Sequence, residues 1–255
     1  MPTVGEIFEF LNSKAPVETR LDFDNVGLLV GSPDWTADTV LLSLDVTGPV
    51  IREAAERGAQ LVISHHPLFF ELKNLGSGDP QGVKAMELLT RRIAAVCMHT
   101  NLDAADGGVN DALAAALGVE NALPCEPEHI CRLGTLPEPV LLPAFLARTK
   151  ERLNCAGLRY VAGDSPVRKV AVGGGSCGSM LEEVVRAGCD TFVTADVKYD
   201  VFLRAKELGV TLIDAGHFNT ENVVIPVLRA WLGAAFPGLK LLISEHRQTE
   251  SYFIS

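Results

Sequence analysis

Two stretches of this chain read as copies of one another, and that repetition constrains the fold more than any single motif. A shift of 130 positions aligns Val40–His66 with Val170–Asp196 without a gap, matching Glu53 to Glu183, Ala55 to Val185, Gly58 to Gly188 and Ile63 to Val193. Both stretches run strand, helix, Gly, strand. Further along, a shift of 115 aligns Asp106 with Glu221, Val109 with Val224, Leu113 with Leu228 and Leu117-Gly118 with Leu232-Gly233. The second copy is therefore 15 residues shorter, the loss falling in the region that holds Lys73–Gly82 in the first.

Hydrophobic periodicity points to the same architecture. Short β-branched runs at 26–30, 39–45, 60–64, 93–98, 158–162, 169–173, 190–195, 210–214 and 240–244 predict strands. Helical patterns lie between them at about 49–57, 82–92, 109–117, 141–153, 179–187, 199–208 and 221–232. Strands alternating with helices are the signature of parallel sheets covered by helices. The expected fold is α/β, two related halves with mainly parallel sheets and a site at the strand carboxyl ends. The expected division is a first half at 1–120, a connector with hairpin and helix at 121–155, and a second half at 156–255. The connector follows from five prolines between Val119 and Pro143 and a weak strand-like segment at Ile130–Leu136. With 47% hydrophobic residues in 255, the chain is long enough to bury a sizeable core.

Composition also removes function classes. A net charge of −10 disfavours any general attraction to nucleic acid or anionic lipid. No apolar run reaches the roughly 20 residues needed to cross a bilayer. The N-terminal segment lacks a basic region followed by an unbroken apolar one, so a cytoplasmic location is expected. Thr3 and Glu6 have capping-box spacing ahead of an amphipathic helix that stops before Pro16. The six cysteines contain no CxxC and no paired clusters, so free thiols are expected rather than disulfides or structural zinc.

Four of the six histidines, His65, His66, His99 and His217, directly follow predicted strands. Open parallel sheets bind ligands at the carboxyl ends of their strands, so these imidazoles converge if the strands share a sheet. Pro67 blocks helix continuation and holds His65 and His66 at a strand tip. Neighbouring residues on an extended chain point to opposite sides, so the two histidines are expected to serve different centres. His99 opens a loop carrying Asp103, with Asp106 and Gly107-Gly108 ahead of the next helix. His217 precedes a helix that Glu221 enters in its first turn, a spacing of four that brings imidazole and carboxylate to one point.

Two or three imidazoles with two carboxylates suit Zn, Fe, Mn, Ni or Co better than Ca or Mg. A carboxylate can bridge two such ions, and the pair lowers the pKa of water toward neutrality without a Ser or Cys nucleophile. Against this stand ordinary readings: a hydrogen-bonded strand-end histidine, a helix cap at Asp103 or Asp106, a dipole complement at Glu221. The repetition of candidates at comparable junctions favours metal.

A rival motif is Gly173-Gly-Gly175-Ser-Cys-Gly178, which satisfies G-x-G-x-x-G after a strand, with Asp196 roughly 20 residues on as a ribose ligand should be. Its counterpart Ser43-Leu-Asp45-Val-Thr-Gly48 lacks the pattern, which ranks dinucleotide binding below metal. The turn's amides remain a candidate phosphate cradle.

The segments Phe23-Asp-Asn-Val-Gly-Leu-Leu-Val-Gly31, Ser64-His-His-Pro-Leu-Phe69, His99-Thr-Asn-Leu-Asp103 and Gly216-His-Phe-Asn-Thr-Glu221 resemble the signature blocks of the Nif-three-like proteins, also known as GTP cyclohydrolase type 2 homologues. Four blocks in order span essentially the whole chain. The resemblance implies two related α/β halves, a dinuclear metal centre and a toroidal homohexamer. It implies His66 and Asp103 on one divalent ion, His65 and His217 on the other, and Glu221 bridging. Phe23 stands where the family often has Trp, and the large insert of some members is absent. The function expected is a metal-dependent hydrolase of a small or nucleotide-like substrate, with cyclohydrolase-like ring opening as one form and His99 as proton carrier or outer-shell partner. The alternative is a metal-handling or assembly protein that turns nothing over.

Overall fold

The central strands form where short apolar runs are buried on both faces, and more exposed strands flank them. In the computed structural model, which describes residues 1–76, 78–125, 127 and 129–246, the strands are β1 (Gly27–Val30), β2 (Thr39–Ser43), β3 (Leu61–Ser64), β4 (Ala94–Cys97), β5 (Glu120–Pro124), β6 (Arg132–Val140), β7 (Arg159–Val161), β8 (Val167–Val172), β9 (Thr191–Thr194), β10 (Thr211–Asp214) and β11 (Lys240–Ile243). The helices are α1 (Val4–Lys14), α2 (Gly48–Glu56), α3 (Pro80–Thr90), α4 (Thr100–Ala104), α5 (Val109–Leu117), α6 (Leu142–Arg152), α7 (Leu181–Arg186), α8 (Tyr199–Glu207), α9 (His217–Glu221) and α10 (Val224–Ala235). No helix among the described residues is long and apolar enough to cross a membrane.

Helix α1 begins where its capping box predicts. The Thr3 hydroxyl accepts from the Glu6 amide at 3.1 Å, and the Glu6 carboxylate accepts from the Thr3 amide at 2.7 Å.

The described residues divide into two compact units, one of 1–106 with 225–246, the other of 107–224. The first unit holds a five-stranded sheet ordered β1-β4-β3-β2-β11, parallel from β4 through β11 with β1 antiparallel on β4. Leu41, Val62 and Ala95 pack against Val50, Ile51, Ala54, Ala85 and Leu88 of α2 and α3. The second unit holds six strands ordered β5-β6-β8-β9-β10-β7. Val170, Val193 and Ile213 pack on Leu113, Leu117 and Phe145 of α5 and α6. Ala171, Phe192 and Leu212 pack on Leu181, Val184 and Ala205 of α7 and α8. This period-two alternation is what a sheet covered on both faces requires.

The division differs from the sequence expectation in two respects. The segment 121–155 contributes β5 and β6 to the second sheet, where Leu133 pairs with Leu123 on one side and Ala171 on the other. Strand β11 belongs to the first sheet, in parallel register on β2 from Lys240↔Thr39 to Ile243↔Leu42. The end of β11 is fixed by the buried Glu53 of α2, whose carboxylate accepts from the Ser244 hydroxyl at 2.6 Å and the Glu245 amide at 3.1 Å and pairs with Arg57. The mainly parallel character expected holds in the first sheet. In the second only β8-β9-β10 are parallel, because hairpin strands and β7 flank them antiparallel.

Candidate metal centre

In the first unit, strand β3 ends at Ser64, and the chain turns there: the Ser64 hydroxyl donates to the His66 carbonyl at 2.8 Å and the His66 amide donates to Leu44 at 2.9 Å. Strand alternation therefore stops before the histidines. Instead of pointing apart, His65 and His66 lie beside each other with ring centroids 5.0 Å apart and planes tilted by 44°, and His99 meets them edge-on at 5.1 and 5.6 Å. One ring nitrogen from each of the three lies within 4.8 Å of the others.

Every one of these rings is held through Nδ1. His65, fully buried, donates to the Met98 carbonyl at 3.0 Å; His66 donates to Asp45 at 2.8 Å; His99 donates to Asp24 at 2.8 Å. Carbonyl and carboxylate oxygens accept only, so the hydrogen sits on Nδ1 and the neutral ring presents its lone pair at Nε2. His65 Nε2 faces Asp103 Oδ1 at 3.7 Å.

Asp103 sits in a helical turn, α4, where the sequence suggested a loop. The turn is capped from a distance of 76 residues: Asp24 Oδ2 accepts from the Thr100 amide at 3.0 Å and its hydroxyl at 2.5 Å. Burial would raise the Asp24 pKa, but the hydrogen bonds from His99 and from the Thr100 hydroxyl and amide overcome it and hold the carboxyl at about 2. Local pattern reading missed Asp24 as a supporting residue, although it lies in the first signature block. Asp106 is exposed, and Gly108 takes the N-cap position of α5.

In the second unit, His217 and Glu221 are the first and last residues of α9, with Nε2 3.1 Å from the buried Oε2. His217 donates from Nδ1 to Asp196 at 2.7 Å. Asp196 holds a positive φ of 50°, a conformation uncommon outside Gly, Asn and Asp.

The glycine turn that resembled a dinucleotide fingerprint serves this pair. Four of its amides are already taken: Gly173 donates to the Val193 carbonyl at 2.9 Å, Gly174 to Asn110 Oδ1 at 2.7 Å, Gly175 to Thr220 Oγ1 at 3.0 Å and Cys177 to Thr194 Oγ1 at 3.1 Å. They cannot also cradle phosphate, and Asp196 holds an imidazole rather than a ribose. The dinucleotide reading through Gly173, Gly175 and Gly178 is corrected accordingly. What the turn supplies is room, since a Cβ on Gly175 (φ +62°) would stand 2.1 Å from Glu221 Oε1 and 3.1 Å from His217 Nε2.

The donor sets suit a divalent transition ion. An imidazole whose Nδ1–H is held by a carboxylate or carbonyl is the arrangement that orients histidine ligands in metal sites. At His65–Asp103 and at His217–Glu221, a lone-pair nitrogen meets a carboxylate oxygen, a juxtaposition that a cation stabilises. No cysteine belongs to these clusters: all six are buried, and burial pushes the Cys155 and Cys189 thiols up to about 11.

Two sheets whose carboxyl ends carry imidazole–carboxylate clusters define an α/β protein with candidate metal-binding groups. The model of the Duf34/NIF3 (NGG1p interacting factor 3) family matches residues 2–250, and the chain belongs to that family. It is 34% identical over 231 residues to a Clostridium perfringens protein called GTP cyclohydrolase 1 type 2 homolog, covering 87% of this chain and 88% of the relative. A Streptomyces coelicolor protein of the same name is 35% identical over 235 residues, covering 87% and 82%. The crystal structure of a Staphylococcus aureus hypothetical protein superposes with a TM-score of 0.90 at 26% identity over 100% of both chains.

Proposed function

We propose that this protein is a metal-dependent hydrolase with a dinuclear centre, in which His66 and Asp103 would hold one divalent ion, His65 and His217 would hold the other, and Glu221 would serve both. The observation that carries the reading is the anchoring of His65, His66, His99 and His217 through Nδ1, which readies each ring to offer Nε2. When bound, such a pair of ions supplies Lewis acidity and lowers the pKa of water toward neutrality. Ring identity in the ligand set excludes neither zinc nor iron, manganese, nickel or cobalt. His99, oriented by Asp24 and packed on His65 and His66, is placed to hold or move a proton at Nε2. The substrate is a small or nucleotide-like molecule, consistent with the cyclohydrolase-homologue names of the relatives. The protein works as a cytoplasmic homohexamer.

Metal quantification on purified protein, Glu221→Gln and His65→Ala tests this, joined to hydrolysis of GTP and model phosphoesters. Stoichiometric metal that both substitutions abolish, with turnover lost in parallel, supports the enzyme. Metal-loaded protein that is inert across a broad hydrolase panel selects the metal-handling alternative. Light scattering tests the hexamer.

A further inference from the structure

Beside the histidine cluster of the first unit lie two aromatic rings that the core does not use. Phe23 is 64% exposed and Phe70 is 53% exposed, whereas the adjacent Phe69 is buried. The two exposed rings pack on each other with centroids 6.1 Å apart, tilted by 51°, and Phe70 meets the His99 ring edge-on at 5.9 Å. A ring left in water forfeits the burial that stabilises the rest of the core, so its fixed presentation calls for an occupant.

The presentation is fixed by the backbone on each side. Phe23 precedes Asp24, whose carboxylate is tied to His99 and Thr100. Asn25 donates from Nδ2 to the Phe69 carbonyl at 2.8 Å, which joins the two phenylalanine segments to one another. Phe23 is thus the chain neighbour of the carboxylate that orients His99. We propose that Phe23 and Phe70 form a stacking platform that receives a planar, nucleobase-sized heteroaromatic ring of the substrate against the histidine cluster. Flat apolar faces beside polar, ligand-competent nitrogens match a conjugated ring, which is apolar on its faces and polar at its edge. Stacking of this kind tolerates different bases, because every base has a π-face. The inference rests on the hydrolase reading only in calling the occupant a substrate.

Titration calorimetry with guanosine 5′-monophosphate and ribose 5-phosphate, in which an anomeric hydroxyl stands in place of the base, tests it on metal-loaded and chelator-treated protein. The expected result is a preference for the nucleotide of roughly tenfold or more. Phe70→Ala and Phe23→Ala remove that preference while leaving ribose 5-phosphate binding and metal content unchanged. Phe70→Leu, which keeps apolar bulk without a π-face, loses most of it and serves if the alanine variant fails to fold. Equal affinities in the unsubstituted protein, or a preference that survives these substitutions, overturns the platform. So does dissociation of the oligomer by Phe70→Leu without a change in nucleotide preference, since the rings would then cover a subunit contact. A nucleotide preference in protein that binds no metal sustains the platform while defeating the hydrolase.

Discussion

The two sheets share a scaffold and differ in what they carry at its edge. In the first unit the order β1-β4-β3-β2 runs antiparallel, parallel, parallel; in the second β7-β10-β9-β8 repeats both order and senses. In the first, the orienting carboxylate follows β2 as Asp45 and its imidazole follows β3 as His66. In the second, Gly175 stands at the position matching Asp45 and Asp196 at the position matching His66, with the imidazole one strand further on as His217. The carboxylate–imidazole device is thus displaced by one strand. The vacated position becomes a glycine because Glu221 needs the space a side chain would fill. Related scaffolds can therefore keep a chemical device while moving it along the strand tips, and a residue-by-residue match of the repeats would hide that.

The largest expected effect comes from filling that space. Gly175→Ala should displace Glu221 and weaken metal binding by more than the roughly 10–100-fold that loss of an outer-shell partner costs, while circular dichroism and melting temperature show a folded protein. Tight metal binding by the folded variant would remove the glycine's assigned role. Next, if the displaced carboxylates do the same work, Asp45→Asn and Asp196→Asn should each lower metal affinity by roughly 10–100-fold. Calorimetric titration reads both, and an effect confined to one variant breaks the equivalence.

A third expectation concerns Asp24, which has no counterpart on β7. Its pKa falls from 3.8 to about 2 on folding, so its stabilisation is complete above the unfolded value and is lost as pH drops from about 4 toward 2. Asp24→Asn should cost on the order of 2 kcal/mol at neutral pH, with the difference shrinking across that acid window in denaturant titrations. The smallest effect is expected at Glu53. Burial opposes ionisation there, but bonds from Ser244, Glu245 and Arg57 lower its pKa, so its contribution is also lost on acidification through the folded value. Glu53→Gln should cost about 1 kcal/mol at neutral pH and less in acid. An undiminished difference at low pH would mean that packing, not charge, holds β11.

The strands and the histidines at their tips were legible because a buried run followed by His is a local signal, as in Leu61–Ser64 before His65. The capping box at Thr3 and Glu6 was legible for the same reason. What sequence could not show were partners far along the chain: Asp24 with His99, Asp45 with His66, Asp196 with His217. Helix α4 was hidden because its cap comes from Asp24 rather than from its own flank. The close approach of the His65 and His66 rings was hidden because the Ser64 turn ends the alternation one residue early. The glycine turn misled, since close approach of a backbone to a carboxylate and close approach to a pyrophosphate demand the same residue.

The return of β11 to the first sheet has a consequence for biosynthesis. Everything from 107 to 224 is threaded between two segments of one folding unit, so a nascent chain leaving the ribosome can complete the later-encoded unit before the earlier one closes. Until Ile243 has emerged, the flank of β2 is an open edge available to other chains. Truncation just after α10 should accordingly yield a protein that sticks to itself during synthesis rather than one that merely lacks a strand.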